Sequence, residues 1–243
     1  MYFGRFGGTP PVVKNLIIIN ALMFLALWAF QGAFGIDLNR TLGLYYFKSP
    51  YFHPYQIVTH MFMHGSLMHI FFNMFALWMF GKVLEQVWGG KKFLIYYFVT
   101  GLGAVFLHML VNHIALVSAM KEVQASLGIE TFDEQTIRRL IQSNNPLLQQ
   151  VGIGLYVPTV GASGAVFGVL LAFGMLFPNT RLMLLFPPIP IKAKYFVIGY
   201  GALELYLGLT QPGSNIAHFA HLGGMLFGFL LIKFWNYDRN TFY

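Results

Sequence analysis

Six apolar windows in a 243-residue chain, each close to the ~20 residues a helix needs to cross a bilayer, leave few architectures open. They fall near residues 12–31, 66–84, 93–115, 160–177, 192–209 and 216–235. The fold class expected from them is all-α, a polytopic membrane protein built as a bundle of six transmembrane helices. Composition agrees with this: 57% of residues are hydrophobic, 9% are charged, and the mean hydropathy is +0.62. Soluble domains carry roughly a quarter charged residues. No small-residue cleavage site follows the first window, so it reads as a span and not as a removed signal peptide.

The spans sort the charge. If the N-terminus is inside, ten of the fifteen Lys and Arg lie on the inner side, from Arg5 and Lys14 to Lys233 and Arg239. The other five (Arg40, Lys48, Lys121, Arg138 and Arg139) lie outside. That bias follows the positive-inside rule and predicts an N-in, C-in chain. The net charge of +7 therefore orients the protein in its lipid bilayer, and no nucleic-acid partner is expected. The chain has no cysteine, which excludes disulfides and thiolate chemistry.

Little of the chain falls outside the windows, so residues 1–243 are expected to form a single membrane domain. Two outer segments are long, 32–65 and 116–159. In the second, "TFDEQTIRRLIQSNN" pairs Thr131 with Glu134 as a capping box, and Ile137, Leu140 and Ile141 recur at helical spacing. This predicts a short amphipathic helix on the outer surface. The inner stretch "FPNTRLMLLFPPIPIKAK" is proline-rich and reads as a rigid connection. Short termini and six spans suit a bacterial cytoplasmic (inner) membrane, with the polar residues discussed next near its outer face.

Polar side chains are costly in hydrocarbon, so their depth is informative. With the N-terminus inside, the second, fourth and sixth helices all begin at the outer level. His69 and Asn73 then lie about 3 and 7 residues into the second helix, Ser163 about 3 into the fourth, and His221 about 5 into the sixth. At 1.5 Å per residue these groups share a layer roughly 5–10 Å deep. His69 and Asn73, four apart, share a helix face. Ala220, Gly224 and Gly228 make one small-residue stripe, and Gly164 with Gly168 makes another. If the stripes meet, the backbones approach closely and His221 comes within reach of Ser163.

Three segments carry a resemblance. "GASG" at 161–164, "AHLGGMLFG" at 220–228 and "HMFMHGSLMHIFFN" at 60–73 resemble the signature segments of the rhomboid family of intramembrane serine proteases. The resemblance implies a protease that cleaves transmembrane protein substrates. Ser163 becomes its nucleophile and His221 the general base, in a Ser–His dyad without a carboxylate. It further implies that His69, Asn73 and the Ser163 N–H hold the oxyanion, and that Phe167 packs on the catalytic imidazole, where the family often has Tyr. Gly161, Gly164, Gly224 and His64 are supporting positions, His64 through a bond to nearby backbone. The loop "TQPGSNIAH" with Gly213, together with the fifth helix, would move to admit substrate. One departure is visible: the family often has Trp-Arg in the first outer loop, where this chain has Tyr55 and Gln56, which weakens the carry-over of a bilayer anchor.

Other polar residues have plainer readings. His60, His64 and His218 suggest a metal site by spacing, but there is no H-E-x-x-H motif, and neither metal nor cofactor is expected. His53, His108 and His113 are left as interfacial or structural. Glu85, at the inner end of the second helix, is expected to be neutralised by Lys82, Lys91 or Lys92. Glu204, inside the fifth helix, is either a functional intramembrane carboxylate or a structural one, and stays outside the expected site. Two other functions compete with the protease: an inactive rhomboid-like protein that binds membrane clients, and a histidine-lined metal transporter. The first normally lacks the serine or the histidine; the second lacks an acidic cluster.

Overall fold

The computed structural model describes residues 8–183, 188–210 and 217–235. It is an all-α membrane protein apart from one small hairpin. Helix α1 (Pro11–Phe34) comes first. Two short helices, α2 (Leu38–Leu42) and α3 (Gln56–Thr59), and a 3₁₀ turn (His60–Phe62) follow in the first long loop. A continuous helical rod then runs from Leu67 to Trp88, as α4 (Leu67–Ala76), a π-helical turn (Leu77–Gly81) and α5 (Lys82–Trp88). Next come α6 (Gly90–Leu127), α7 (Glu134–Ile141), α8 (Pro146–Tyr156) and α9 (Ser163–Leu176). Strands β1 (Arg181–Met183) and β2 (Pro190–Lys192) precede α10 (Ala193–Thr210) and α11 (His218–Phe234).

Three of these helices, α1, the Leu67–Trp88 rod and α6, are long and apolar enough to cross a membrane; α9 and α11 are shorter apolar helices. The side chains of α1 face outward to an extent no aqueous surface favours, with Leu25 and Trp28 about two-thirds exposed. Contiguous apolar exposure of this kind fits hydrocarbon surroundings, where the helix satisfies its own backbone.

Helix α9 is buried on nearly every side and forms the axis of the bundle. Val166, Val169, Leu170 and Phe173 pack into one core with Leu77, Phe80 and Leu84 of the Leu67–Trp88 rod and with Phe93, Tyr96 and Tyr97 of α6. A helix apolar all round is one that neighbours enclose.

Glu85 behaves differently from its sequence expectation. Its carboxylate accepts Val12 N–H at 2.9 Å and Val13 N–H at 2.7 Å, at the first turn of α1. Pro11 has no N–H, so these two are the first orphan donors of that helix, and a buried anion at the positive end of its dipole satisfies both. The backbone of α1 holds this carboxylate.

Helix α6 is the longest element. Its 38 residues extend about 57 Å, well beyond a hydrocarbon core of about 30 Å. The C-terminal third carries a second core, in which Leu116, Ala119 and Val123 meet Ile137 and Leu140 of α7 and Val151 and Leu155 of α8. Helix α7 is the expected amphipathic helix, but its cap is Asp133, whose side chain accepts Thr136 N–H at 2.8 Å, in place of Thr131. Its apolar face is buried against α6 and α8. The following helix α8, capped by Asn145 and started by Pro146, had no sequence expectation. In the proline-rich connection β1 and β2 pair antiparallel, with Leu182 opposite Ile191.

Candidate active site

The loop between α1 and α4 builds the seat for the "GASG" segment. Gln56, fully buried, is its hub: the side-chain oxygen accepts His53 N–H at 3.0 Å, and the amide donates to the carbonyls of Tyr51 and Thr41. Leu44 and Thr159 exchange backbone hydrogen bonds at 2.9 and 2.8 Å, which ties this loop to the residues entering α9. Gly161 N–H then donates to the His60 carbonyl at 2.9 Å. Gly161 has φ +129°, a conformation that side chains rarely adopt, and a Cβ there would press on the His69 ring at 2.8 Å. Gly161 thus lets the chain turn into α9 directly against His69.

Ser163 is the first residue of α9, not the third as the depth argument had it, because Ala162 takes the cap position. Its N–H belongs to the first turn, where the helix leaves donors unsatisfied and the dipole is positive. His221 is the fourth residue of α11. Its Nε2 lies 2.8 Å from Ser163 Oγ.

Small residues make that distance possible. A Cβ at Gly224 would collide with the Gly164 carbonyl oxygen, and one at Gly164 would collide with Ala104 Cβ. A Cβ at Gly223 would sit 2.9 Å from Ala104 Cα. Helices α6, α9 and α11 therefore cross with backbone against backbone beside the Ser–His pair. The two stripes do not face each other along their whole length: Gly168 meets Thr100, and Gly228 meets the Tyr96 hydroxyl, both on α6.

The imidazole of His221 is fixed on two sides. The Phe167 ring lies parallel to it, with 4.1 Å between centroids and 4° between planes. Phe167 in turn packs on Tyr200 of α10. On the other edge, His221 Nδ1 lies 2.9 Å from Glu204 Oε2, and His218 Nδ1 lies 2.7 Å from the same oxygen. All three residues are buried. The expectation of a dyad with only an aromatic ring to steady the base is corrected here, since a carboxylate occupies the second ring nitrogen. Sequence reasoning flagged Glu204 as an intramembrane carboxylate but left it out of the site. The usable signal was the pair His218 and His221, one turn apart and so on one face of α11, which a lone acid on a neighbouring helix can bridge.

The donor atoms of Glu204, His218 and His221 lie within 4.8 Å of one another, a set chemically suited to zinc. Bonds of ~2.0–2.1 Å around a tetrahedral ion would hold the ligand atoms about 3.3 Å apart. The observed 2.7 and 2.9 Å spacings, both to one oxygen, are those of hydrogen bonds. No metal is assigned to them.

His69 and Asn73 line the same cavity as Ser163, Gly161 and His221, about 1620 Å³ in volume. Asn73 Nδ2 donates to the His69 carbonyl at 2.9 Å, which uses one of its two amide hydrogens. Phe72 and Met79 of the Leu67–Trp88 rod and Phe196 and Tyr200 of α10 line one side of the cavity, and His108, Asn112 and Gln149 line another.

The His64 ring lies close to the Phe62 backbone, which favours its protonated form, but makes no well-aligned hydrogen bond there. Both ring nitrogens are buried and without a hydrogen-bond partner among the described residues, and only its carbonyl is engaged, by Asn39. Burial pushes the imidazole down to about 3, helped by the neighbouring His69. Burial likewise pushes His60 down to about 4, against the hydrogen bond of its Nδ1 with the Gln56 carbonyl. His108 contacts the Thr159 hydroxyl at 3.0 Å, and His113 the Tyr46 hydroxyl at 2.8 Å. The loop segment 211–216, with Gly213, lies outside the described residues.

Residues 51–235 match the Rhomboid domain. The chain belongs to the rhomboid family. This rhomboid is 27% identical over 231 residues to the presenilin-associated rhomboid-like protein, mitochondrial, of Rattus norvegicus, covering 91% of the chain and 48% of that relative. It is 29% identical over 215 residues to the RHOMBOID-like protein 12, mitochondrial, of Arabidopsis thaliana, covering 88% and 55%. To the Rhomboid protein 1, mitochondrial, of Saccharomyces cerevisiae it is 28% identical over 174 residues, covering 72% and 40%. The chain thus spans about half the length of the curated relatives it matches. These relatives correct the expectation of a bacterial cytoplasmic membrane, because each is a mitochondrial protein. Short termini and a count of spans reflect how a bundle is built and carry no information about which membrane holds it.

Proposed function

We propose that this rhomboid is an intramembrane serine endopeptidase that hydrolyses peptide bonds in or near transmembrane segments of other membrane proteins. The observation that carries the reading is the 2.8 Å contact between Ser163 Oγ and His221 Nε2, opening on a cavity with room for a peptide. In this reading His221 takes the hydroxyl proton as Ser163 Oγ attacks the scissile carbonyl carbon. The oxyanion is held by the Ser163 N–H with His69 and Asn73 as side-chain donors. His221 returns the proton to the leaving amine, then activates a water that hydrolyses the acyl-enzyme. A substrate helix must unwind at the cavity, since a helical carbonyl is shielded from attack. The same reading places six spans across the bilayer, with both termini on one side and the Ser163 layer nearer the other.

Purified protein in liposomes, given a model single-span substrate, tests this. Wild type cuts and labels with a fluorophosphonate; Ser163→Ala and His221→Ala do neither. A Ser163→Ala variant that still cuts would sink the proposal, and a wild type that binds the substrate without cutting would favour a client-binding protein. Asn73→Ala and His69→Ala should each lose about 10²–10³ in kcat, the usual effect of removing one oxyanion donor.

A further inference from the structure

We infer that Glu204 is a positioning residue for the hydrolytic reaction, so that the site works as a Ser163–His221–Glu204 triad with His218 as a second anchor of the carboxylate. The inference rests on the serine-protease reading above and adds to it a group on a third helix.

Hydrogen-bond grammar carries the argument. For His221 to accept the Ser163 proton, its Nε2 must be bare, so the neutral ring carries its hydrogen on Nδ1. That Nδ1 lies 2.9 Å from Glu204 Oε2, so the N–H donates to the carboxylate. His218 Nε2 is buried without a partner among the described residues, which suits a bare nitrogen better than an orphan N–H, so its Nδ1 also carries hydrogen. It donates to the same Oε2 at 2.7 Å. Two N–H donors on one oxygen stabilise the charged form of a carboxylate over the neutral acid. An anion buried inside a membrane bundle is stable only when partnered, and these two imidazoles supply the partners.

The chemical consequence follows. Glu204 selects the His221 tautomer that can act as a base. It also faces the positive charge that forms when the Ser163 proton moves to Nε2, and remains a carboxylate throughout. Phe167 restrains the tilt of the imidazole ring by stacking, whereas Glu204 fixes its rotation and its proton; the two constraints are complementary. His218 keeps the carboxylate aimed. Because α10 provides Glu204 and α11 provides both histidines, the base is competent only when these two helices are docked.

The test compares wild type, Ser163→Ala, Glu204→Gln and Glu204→Asp, reconstituted in liposomes, by kcat and KM on a model single-span substrate and by thermal melting. Glutamine keeps shape and volume and its amide oxygen can still accept from Nδ1, but it carries no negative charge to face the imidazolium that forms on His221. It should lower kcat by about 10²–10⁴, the scale of an acid-to-amide change in a triad, with KM within about threefold. Aspartate keeps the charge and should recover at least about tenfold of the lost kcat. A Glu204→Gln protein with kcat within about threefold of wild type, while Ser163→Ala is inactive, overturns the inference and leaves the protease reading standing. Glu204→Asp as slow as Glu204→Gln, with both melting like wild type, also overturns it. If Glu204→Gln fails to fold, the aspartate variant decides: a folded protein more than about a hundredfold slower than wild type overturns the role, and one within about a hundredfold supports it. Activity that survives in Ser163→Ala refutes the protease reading itself.

Discussion

The middle of α6 and its C-terminal third are held by different physics. Around Gly103 and Ala104 the helix meets α9 and α11 with backbone against backbone, and a single added carbon at Gly164 or Gly224 has nowhere to go. Around Leu116, Ala119 and Val123 the same helix meets α7 and α8 through interdigitated side chains. In hydrocarbon there is no hydrophobic gain from bringing apolar side chains together, so close approach of small residues does the work. Where α6 carries the charged α7, with Glu134, Arg138 and Arg139 exposed, ordinary burial of apolar area suffices. The difference teaches where the chemistry can tolerate change. The reacting groups sit at the tight crossing, and the side-chain core lies apart from them.

That contrast is easiest to break at the crossing. Gly224→Ala should push α11 off α9, lengthen the Ser163–His221 contact and cost at least about 10²-fold in kcat, since misplacement of about 1 Å has effects of that size. A fluorophosphonate labelling rate equal to wild type would show that the crossing is not what sets the geometry. Gly161→Ala should follow, with a loss of about 10-fold or more, because its φ of +129° and the His69 ring both oppose a Cβ. Turnover measured beside Asn73→Ala would reveal whether the two act on the same step.

The side-chain core should respond in stability and leave chemistry alone. Ile137→Ala, at a fully buried position, should destabilise the α7–α8 unit by about 2–4 kcal/mol. Proteolysis within 128–160 should accelerate, with the Ser163 labelling rate within about threefold of wild type. A parallel collapse of labelling would mean that the middle and the C-terminal third of α6 are one cooperative unit.

A smaller effect is expected on the acid side. His64 and His60 are neutral when folded, with values held at about 3 and about 4, against an ordinary value near 6.5 in the unfolded chain. As pH falls below 6.5 the unfolded chain takes up protons that the folded protein refuses. Stability is therefore full above about 6.5 and declines as pH falls towards about 4 and 3. His64→Leu should remove one proton from that difference and flatten the slope by about 1.4 kcal/mol per pH unit between pH 6 and 4. Thermal melting in detergent across that range checks it. The smallest effect belongs to Glu134→Gln, which removes an exposed pair with Arg138 and should leave melting unchanged.

Much of this molecule was legible because membrane helices announce themselves by length and apolarity, and because motif spacing identified Ser163, His221, His69 and Asn73. Boundaries were less legible. Helix α6 runs on to Leu127 because its C-terminal end has partners in α7 and α8, which no local pattern reveals. Gln56 looked like the loss of a family residue, yet it is the buried hub of the first loop, satisfied by backbone groups distant in sequence. Glu85 and Glu204 were both misread for one reason: a buried carboxylate is defined by its partners, and theirs come from other helices.

The sequence by itself determined that this chain is a helical membrane protein, and which serine and histidine are to be brought together. Those properties follow from runs of apolar residues and from spacing along one chain. Only the tertiary structure decided how near they come, through glycines that meet across three helices, and what stands behind the histidine. A carboxylate on α10 finds Nδ1 of His221 because of how α10 and α11 pack, and packing between helices is not written in the period of either one.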